Sequence, residues 1–219
     1  MSPRSEAHED DPTRQTRVAY DQVAGSYAKA LPDTRYEAAL DLEMVNSFID
    51  SIEYLDVLDA GCGTGRMMTY LRERTPELRL SGLDLSTAMV ELARSANPSA
   101  QVVEGDIAAM PFHDAQFGGV LAWYSIIHSA PTELPKVFSE ICRILRSRGK
   151  VLMAFQSGTG TRQIANAYGH DVELKAFLHS ASALVPVLRA AGLEVDTVLD
   201  RAPRDSEKSP QCFILATRI

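Results

Sequence analysis

Val57-Leu58-Asp59-Ala60-Gly61-Cys62-Gly63-Thr64-Gly65 decides how this chain is read: an apolar run ends in an acid and then in glycines spaced by single residues. A tight strand-to-helix turn needs backbone angles that a side chain forbids, and a ligand that touches bare main chain needs glycine there. The spacing separates ligands. A loop that cradles the phosphates of a dinucleotide follows G-x-G-x-x-G, whereas Gly61, Gly63 and Gly65 follow G-x-G-x-G behind Asp59. An acidic lead-in suits a ligand that carries an ammonium group and no pyrophosphate.

Two further acids fall at equivalent places. The apolar run 78–83 ends in Asp84, just before a helical pattern, and a carboxylate at such a tip can accept hydrogen bonds from both ribose hydroxyls. The run 100–104 leads to Asp106 and Ile107, an acceptor and an aliphatic face suited to an adenine amino group and ring. Each acid alone reads equally as a helix cap or a solvated loop residue. Three in succession at strand tips form a constellation.

From Tyr54 onward the periodicity alternates: strands at 55–60, 78–83, 101–104, 117–123 and 150–155 with helices at 66–74, 86–95 and 133–145. This order predicts an α/β fold, a parallel sheet with helices on both faces, and ligands outside the carboxyl ends of the strands. Apolar spacings of three and four predict two additional helices, 16–31 and 36–52, ahead of the first strand. Residues 1–13 read as a disordered polar tail with Pro3 and Pro12 as breakers, leaving 14–219 as one domain with 14–52 as a helical cap. Residues 156–179 lack a clear period and are expected to form a lid-like insertion before a helix at 182–191. Strands at 193–199 and 211–217 close the chain around a polar loop.

The chain has 219 residues, 45% of them apolar, and a formal net charge of −7. That charge, with Glu6, Glu9, Asp10 and Asp11 near the start, provides no field to attract nucleic acid or anionic membranes. Cys62, Cys142 and Cys212 are widely separated and odd in number, as expected of buried, reduced thiols in a cytoplasmic protein. Neither a signal peptide nor an apolar run of membrane-spanning length is read, so the expectation is a soluble cytoplasmic protein.

The combined motifs resemble those of class I S-adenosylmethionine (SAM)-dependent methyltransferases from about Tyr20 to the C-terminus. Tyr20-Asp21-Gln22-Val23-Ala24-Gly25-Ser26-Tyr27 is similar to the Y-D-x-x-A-x-x-Y segment of small-molecule methyltransferases of the quinone-biosynthesis type. The resemblance implies a Rossmann-like, seven-stranded sheet, mostly parallel, with the last strand inserted antiparallel. It implies SAM as cofactor, S-adenosylhomocysteine (SAH) as product and a small-molecule methyl acceptor. It places Asp59, Gly61 and Gly63 around the methionyl moiety, Asp84 with Leu85 at the ribose, and Asp106 with Ile107 at the adenine. Tyr27 would lie over the cofactor, Met89 would pack near the adenine or in the core, and Arg66 would meet the cofactor carboxylate or remain on the surface. Trp123 closes the cofactor set.

One departure is Phe117-Gly118-Gly119-Val120, where the family often has F-D-x-V. The segment Ala122-Trp123-Tyr124-Ser125-Ile126-Ile127-His128 holds no N-P-P-Y or D-P-P-Y signature of adenine or glutamine methylation, and lacks acidic metal ligands, so no metal is expected. A base is needed only for a hydroxyl or protonated amine acceptor. His128 is the first candidate; His170, beside Asp171, is the second; Tyr27 completes the catalytic set, while His8, His113 and His179 are set aside. Tyr20, Trp123 and Tyr124 read as an aromatic wall or as core. Oxygen, nitrogen, sulfur and carbon acceptors all fit these residues. Alternatives are a SAM- or SAH-binding protein that does not methylate, an NAD-type dehydrogenase, which the glycine spacing opposes, and an RNA methyltransferase, which the charge opposes.

Overall fold

The computed structural model describes residues 11–219; most of the expected tail lies outside the described residues. Helix α1 (Pro12–Ala30) starts earlier than the sequence suggests, because Asp11 accepts a hydrogen bond from Thr13 N–H and Pro12 occupies the first turn. Pro12 is therefore a helix initiator and not a breaker, since its missing N–H is unpaired at that position anyway. A 3-10 turn (Thr34–Tyr36) leads to α2 (Ala39–Ser51).

The alternating core follows as β1 (Asp56–Ala60), α3 (Arg66–Arg74), β2 (Arg79–Asp84), α4 (Thr87–Ala96), β3 (Gln101–Glu104) and β4 (Phe117–Trp123). After a 3-10 turn (Ile126–His128) come α5 (Leu134–Ile144) and β5 (Leu145–Gln156). The expected lid is a two-stranded antiparallel hairpin, β6 (Thr161–Ala167) and β7 (His170–Phe177). Its turn, Tyr168-Gly169, has both residues at positive φ, the geometry that suits the twist of a tight hairpin. The period-two set Val172, Leu174 and Ala176 is buried, so a strand signal was present where no period was read. The chain ends with α6 (Ala181–Ala190), β8 (Leu193–Arg201) and β9 (Gln211–Arg218).

The main sheet has the order β3-β2-β1-β4-β5-β9-β8, with β9 antiparallel to both neighbours, as the resemblance implied. All seven residues of β4 are buried, as expected of a parallel strand covered on both faces. One core, with Phe138, Ile141, Leu145 and Phe155, fills one side; the other, with Phe48, Met68, Leu71 and Phe213, fills the opposite side. The departure at Gly118-Gly119 has a packing reason. A Cβ at Gly119 would stand 2.8 Å from the Phe48 ring of α2, and one at Gly118 would stand 2.5 Å from Tyr54. Among the described residues, no helix is long and apolar enough to cross a membrane.

Candidate active site

The carboxyl ends of β1 to β5 and the start of β9 open into a cavity of about 1010 Å³, roofed by α1 and the β6–β7 hairpin. That is room for two small molecules side by side. Gly61, Gly63, Arg66, Asp84, Leu85, Met89, Asp106, Ile107, Trp123, Tyr27 and His128 all line it. His170 does not.

The glycine loop is tied to β2 from below: Gly61 N–H and Cys62 N–H both donate to the Leu83 carbonyl, at 2.7 and 2.9 Å. Gly61 has φ +83°, and a Cβ there would collide with the Ser125 Cβ. Gly63 has φ +53° with only the Tyr27 ring 4.0 Å away, leaving a cradle that a side chain would fill.

Asp84 fixes this loop. Its Oδ2 accepts from Gly63 N–H at 2.7 Å and its Oδ1 from Ser86 N–H at 2.9 Å. Burial nonetheless raises its pKa, against the lowering effect of the Ser86, Gly63 and Leu85 N–H groups. Asp59, 1% exposed under the loop, differs: neither carboxylate oxygen has a partner. Burial pushes its pKa up to about 7, with Arg66 pulling down and Asp84 pushing up. Arg66 instead pairs with Glu37 at 2.5 Å in a nearly buried contact, and the Tyr27 hydroxyl bonds to it as well. Asp106 Oδ1 accepts from Ala108 N–H at 2.8 Å in a short turn. Met89 is 1% exposed and packed with Val23 and Leu174, which places it in the core at the cavity edge.

Each polar residue of the Tyr20–Tyr27 segment has a definite contact. Asp21 Oδ1 accepts from Ser86 Oγ–H at 2.6 Å and from Ala88 N–H at 3.1 Å, clamping α1 to the first turn of α4. Ala24 is buried in that contact, and Tyr27 meets Tyr168 edge to face with centroids 5.0 Å apart. Gln22 donates to the Asp171 carbonyl at 3.1 Å, and Ser26 Oγ lies 2.9 Å from His170 Nε2. His170 thus fastens the hairpin to α1 and stands outside the cavity, because the turn that carries it lies over the helix.

Tyr20 Oη lies 2.8 Å from His128 Nε2, and His128 Nδ1 lies 2.9 Å from the Lys175 carbonyl. A carbonyl only accepts, so Nδ1 carries the proton; in the neutral ring Nε2 then accepts from the Tyr20 hydroxyl. Burial lowers the His128 pKa, as does the charge of Arg162, while the Lys175 carbonyl raises it. Tyr20, read from sequence as wall or core, is the histidine's partner. The two are 108 residues apart, and no local pattern announces the pair.

The far end of the cavity was not foreseen. Arg201 holds Asp41 of α2 with two bonds of 2.6 Å and Glu207 at 2.6 and 2.8 Å, while Arg204 bonds Glu207 and the Tyr36 carbonyl. These bonds fasten the loop between β8 and β9 over the rims of β5 and β9. Trp123 Nε1, Ser125 Oγ and Gln156 Oε1 are buried there without partners. Tyr124 has φ +58°, a strained conformation for a tyrosine and one that recurs at functional sites.

Residues 57–149 match the family described as "Methyltransferase domain". A malonyl-[acyl-carrier protein] O-methyltransferase of Salmonella typhimurium is 33% identical over 132 residues, covering 59% of this chain and 51% of that protein. A demethylmenaquinone methyltransferase of Thermotoga maritima is 28% identical over 97 residues, covering 44% and 42%. The chain spans about half the length of the curated relatives it matches. Among solved structures, the 1,6-didemethyltoxoflavin-N1-methyltransferase of Burkholderia thailandensis, bound to its namesake and to SAH, superposes with a TM-score of 0.69 at 20% identity, covering 100% of this chain and 92% of that one. The [4+2]-cyclase SpnF gives 0.73 at 16% identity, covering 94% and 96%. At these identities the likeness is one of fold.

Proposed function

We propose that this chain, which belongs to the class I SAM-dependent methyltransferase family, transfers a methyl group from SAM to a small organic acceptor. The observation that carries the proposal is Asp59. A buried carboxylate with two unpartnered oxygens is costly, and such a group calls for an explanation. An ammonium group supplies it, and the bare Gly61–Gly63 backbone beside it leaves space for the rest of an aminoacyl moiety.

The residues present fit SAM. Asp59 would hold the ammonium group. Arg66, with donors to spare beyond Glu37 and Tyr27, would hold the carboxylate. Asp84 offers its remaining acceptor positions to the ribose, and Leu85, Met89, Asp106 and Ile107 would enclose the adenine. Bound there, SAM supplies an activated methyl group open to in-line displacement by a nucleophile.

The chain contributes positioning, exclusion of water and management of one proton. Asp59 on β1, Asp84 at the end of β2 and Asp106 in the turn after β3 gather at one half of the sheet edge, so the cofactor belongs to that half of the cavity and the acceptor to the half over β4, β5 and β9. Helix α1 and the hairpin cover both. For an acceptor that arrives protonated, the Tyr20 oxygen takes the proton the acceptor loses while the Tyr20 proton moves to His128 Nε2, leaving tyrosine neutral and the imidazole protonated. The Lys175 carbonyl stabilises the imidazolium that forms. The relatives are named for acting on malonyl-[acyl-carrier protein] and on demethylmenaquinone, which supports an organic acceptor here. The net charge of −7 supports the same choice over nucleic acid.

Titration calorimetry with SAM, SAH and NAD tests the first half: SAM and SAH bind and NAD does not. Failure of SAH to bind would end the proposal. Incubation of the protein and SAM with metabolite extracts, followed by a mass search for the gain of one methyl, tests the second half.

A further inference from the structure

We infer that the acceptor is an uncharged planar molecule presenting a hydrogen-bond donor and an acceptor on adjacent positions of one edge, as a lactam, carboxamide or N-heteroaromatic ring does, and that Gln156 and Trp123 read this edge. The inference rests on the methyltransferase reading above and names the substrate class of the same site.

Trp123 pairs with Ala154 across β4 and β5, and Gln156 lies two residues beyond Ala154, so both side chains leave the same face of the sheet. Strand spacing and rise put their Cα atoms about 8 Å apart, a gap that one aromatic or heteroaromatic ring can bridge. Trp123 is 6% exposed and packs against Tyr124 and Phe213, which fixes the indole plane. Its Nε1–H can only donate and has no partner; Gln156 Oε1 can only accept and has none either. The complementary ligand therefore accepts at one position and donates at the next. Ser125 Oγ, also unpartnered, can take either role.

The charge of the surroundings selects a neutral ligand. Glu37 is neutralised by Arg66, Asp41 by Arg201, and Glu207 by Arg201 and Arg204. These ion pairs leave the walls at this end internally compensated, with Lys208 only at the exposed rim. An ion buried among these walls would meet only charges that are already paired; Arg162 of β6, near His128, is the cation an anionic acceptor would seek instead. Tyr36, Trp123 and Tyr124 supply the flat apolar surfaces that a ring needs.

Trp123 is the single tryptophan of the chain, so its indole N–H resonance reports on this position alone. The experiment records 15N-1H spectra of SAH-loaded protein titrated with 2-pyridone and nicotinamide, with toluene as apolar control and benzoate as anionic control. The two polar rings should move the indole signal in a saturable way, with dissociation constants on the order of millimolar, as for fragments of this size. Gln156→Leu should weaken that binding about tenfold or more while SAH still binds; the unperturbed dispersion of the spectrum verifies the fold. An unmoved indole signal in protein that has bound SAH overturns the inference. So does an equal shift with toluene, unchanged binding by Gln156→Leu, or preference for benzoate, which would move recognition to the cation of Arg162. Failure of SAH itself to bind, read by calorimetry on the same sample, rejects the underlying function instead.

Discussion

The two halves of the cavity are built by different means. On the proposed cofactor side, over β1, β2 and β3, the supports come from the same strand end or the adjacent one: Gly63 N–H on Asp84 across 21 residues, the Leu83 carbonyl on the glycine loop, and Ala108 N–H on Asp106 across two. On the acceptor side, over β4, β5 and β9, the groups come from segments far apart in the chain: Tyr20 on His128 across 108 residues and Arg201 on Asp41 across 160. A ligand common to many proteins can be held by a portable local motif. One particular to this protein is held by long-range contacts that can change without disturbing the sheet.

If this division is right, substitutions on the two sides separate kinetically. The largest effect belongs to the acceptor side: His128→Ala should lower turnover roughly 100- to 1000-fold with SAM affinity unchanged within about twofold. Tyr20→Phe should resemble it, because Nε2 then loses its hydroxyl partner. Steady-state rates paired with calorimetry check this, and a parallel loss of SAM binding would break the division. On the proposed reading the neutral ring is the base; its pKa is lowered by burial and by Arg162, so the acid limb of the rate profile should fall below the usual histidine range near 6.5.

Asp59→Asn should weaken SAM about 100-fold, the scale of losing a buried charge-assisted contact. The apo protein should become more stable at the same time. Asp59 has a raised folded pKa, so the folded state binds more protons than the unfolded one between about pH 4 and 7, and stability falls as pH rises through that window. Removing the titration removes the loss, by on the order of 1–3 kcal/mol at pH 8. Thermal melts with and without SAM measure both signs.

A smaller effect sharpens the same point. In the proposed binding mode the ammonium group needs ionised Asp59, so SAM affinity in the wild type should weaken about tenfold from pH 8 to pH 6, following a group titrating near 7 beside Arg66 and Asp84. Calorimetry at both pH values checks it, and in Asp59→Asn the dependence should vanish. The smallest effect is at the roof. His170→Ala removes the bond to Ser26, and at about 1 kcal/mol should raise the KM of either ligand no more than about fivefold, with turnover retained. A collapse of turnover would restore His170 to the chemistry.

The alternation of strands and helices and the position of Asp59, Asp84 and Asp106 near the carboxyl ends of β1, β2 and β3 are legible because glycine and acid punctuation at strand ends is local. Helix boundaries fell within a few residues, except where Pro12 was taken for a breaker instead of a first-turn residue. The hairpin was missed although Val172, Leu174 and Ala176 alternate, because that short run lies in a polar stretch whose other strand, Thr161–Ala167, is mostly exposed. Gln156 was read only as the start of a loop. It became a candidate once the strand pairing placed it on the same face as Trp123.

Tyr20 and Asp21 are neighbours on one turn of α1, yet the first reaches the histidine over β4 while the second reaches the start of α4 beside β2. A single helix therefore staples the two chambers together, and a shift of that turn by one bond length would unseat the proton acceptor and loosen the adenosine wall in the same stroke. If both ligands bind as proposed, their loading and discharge share this one turn, and the chain is ready for the pair together or for neither.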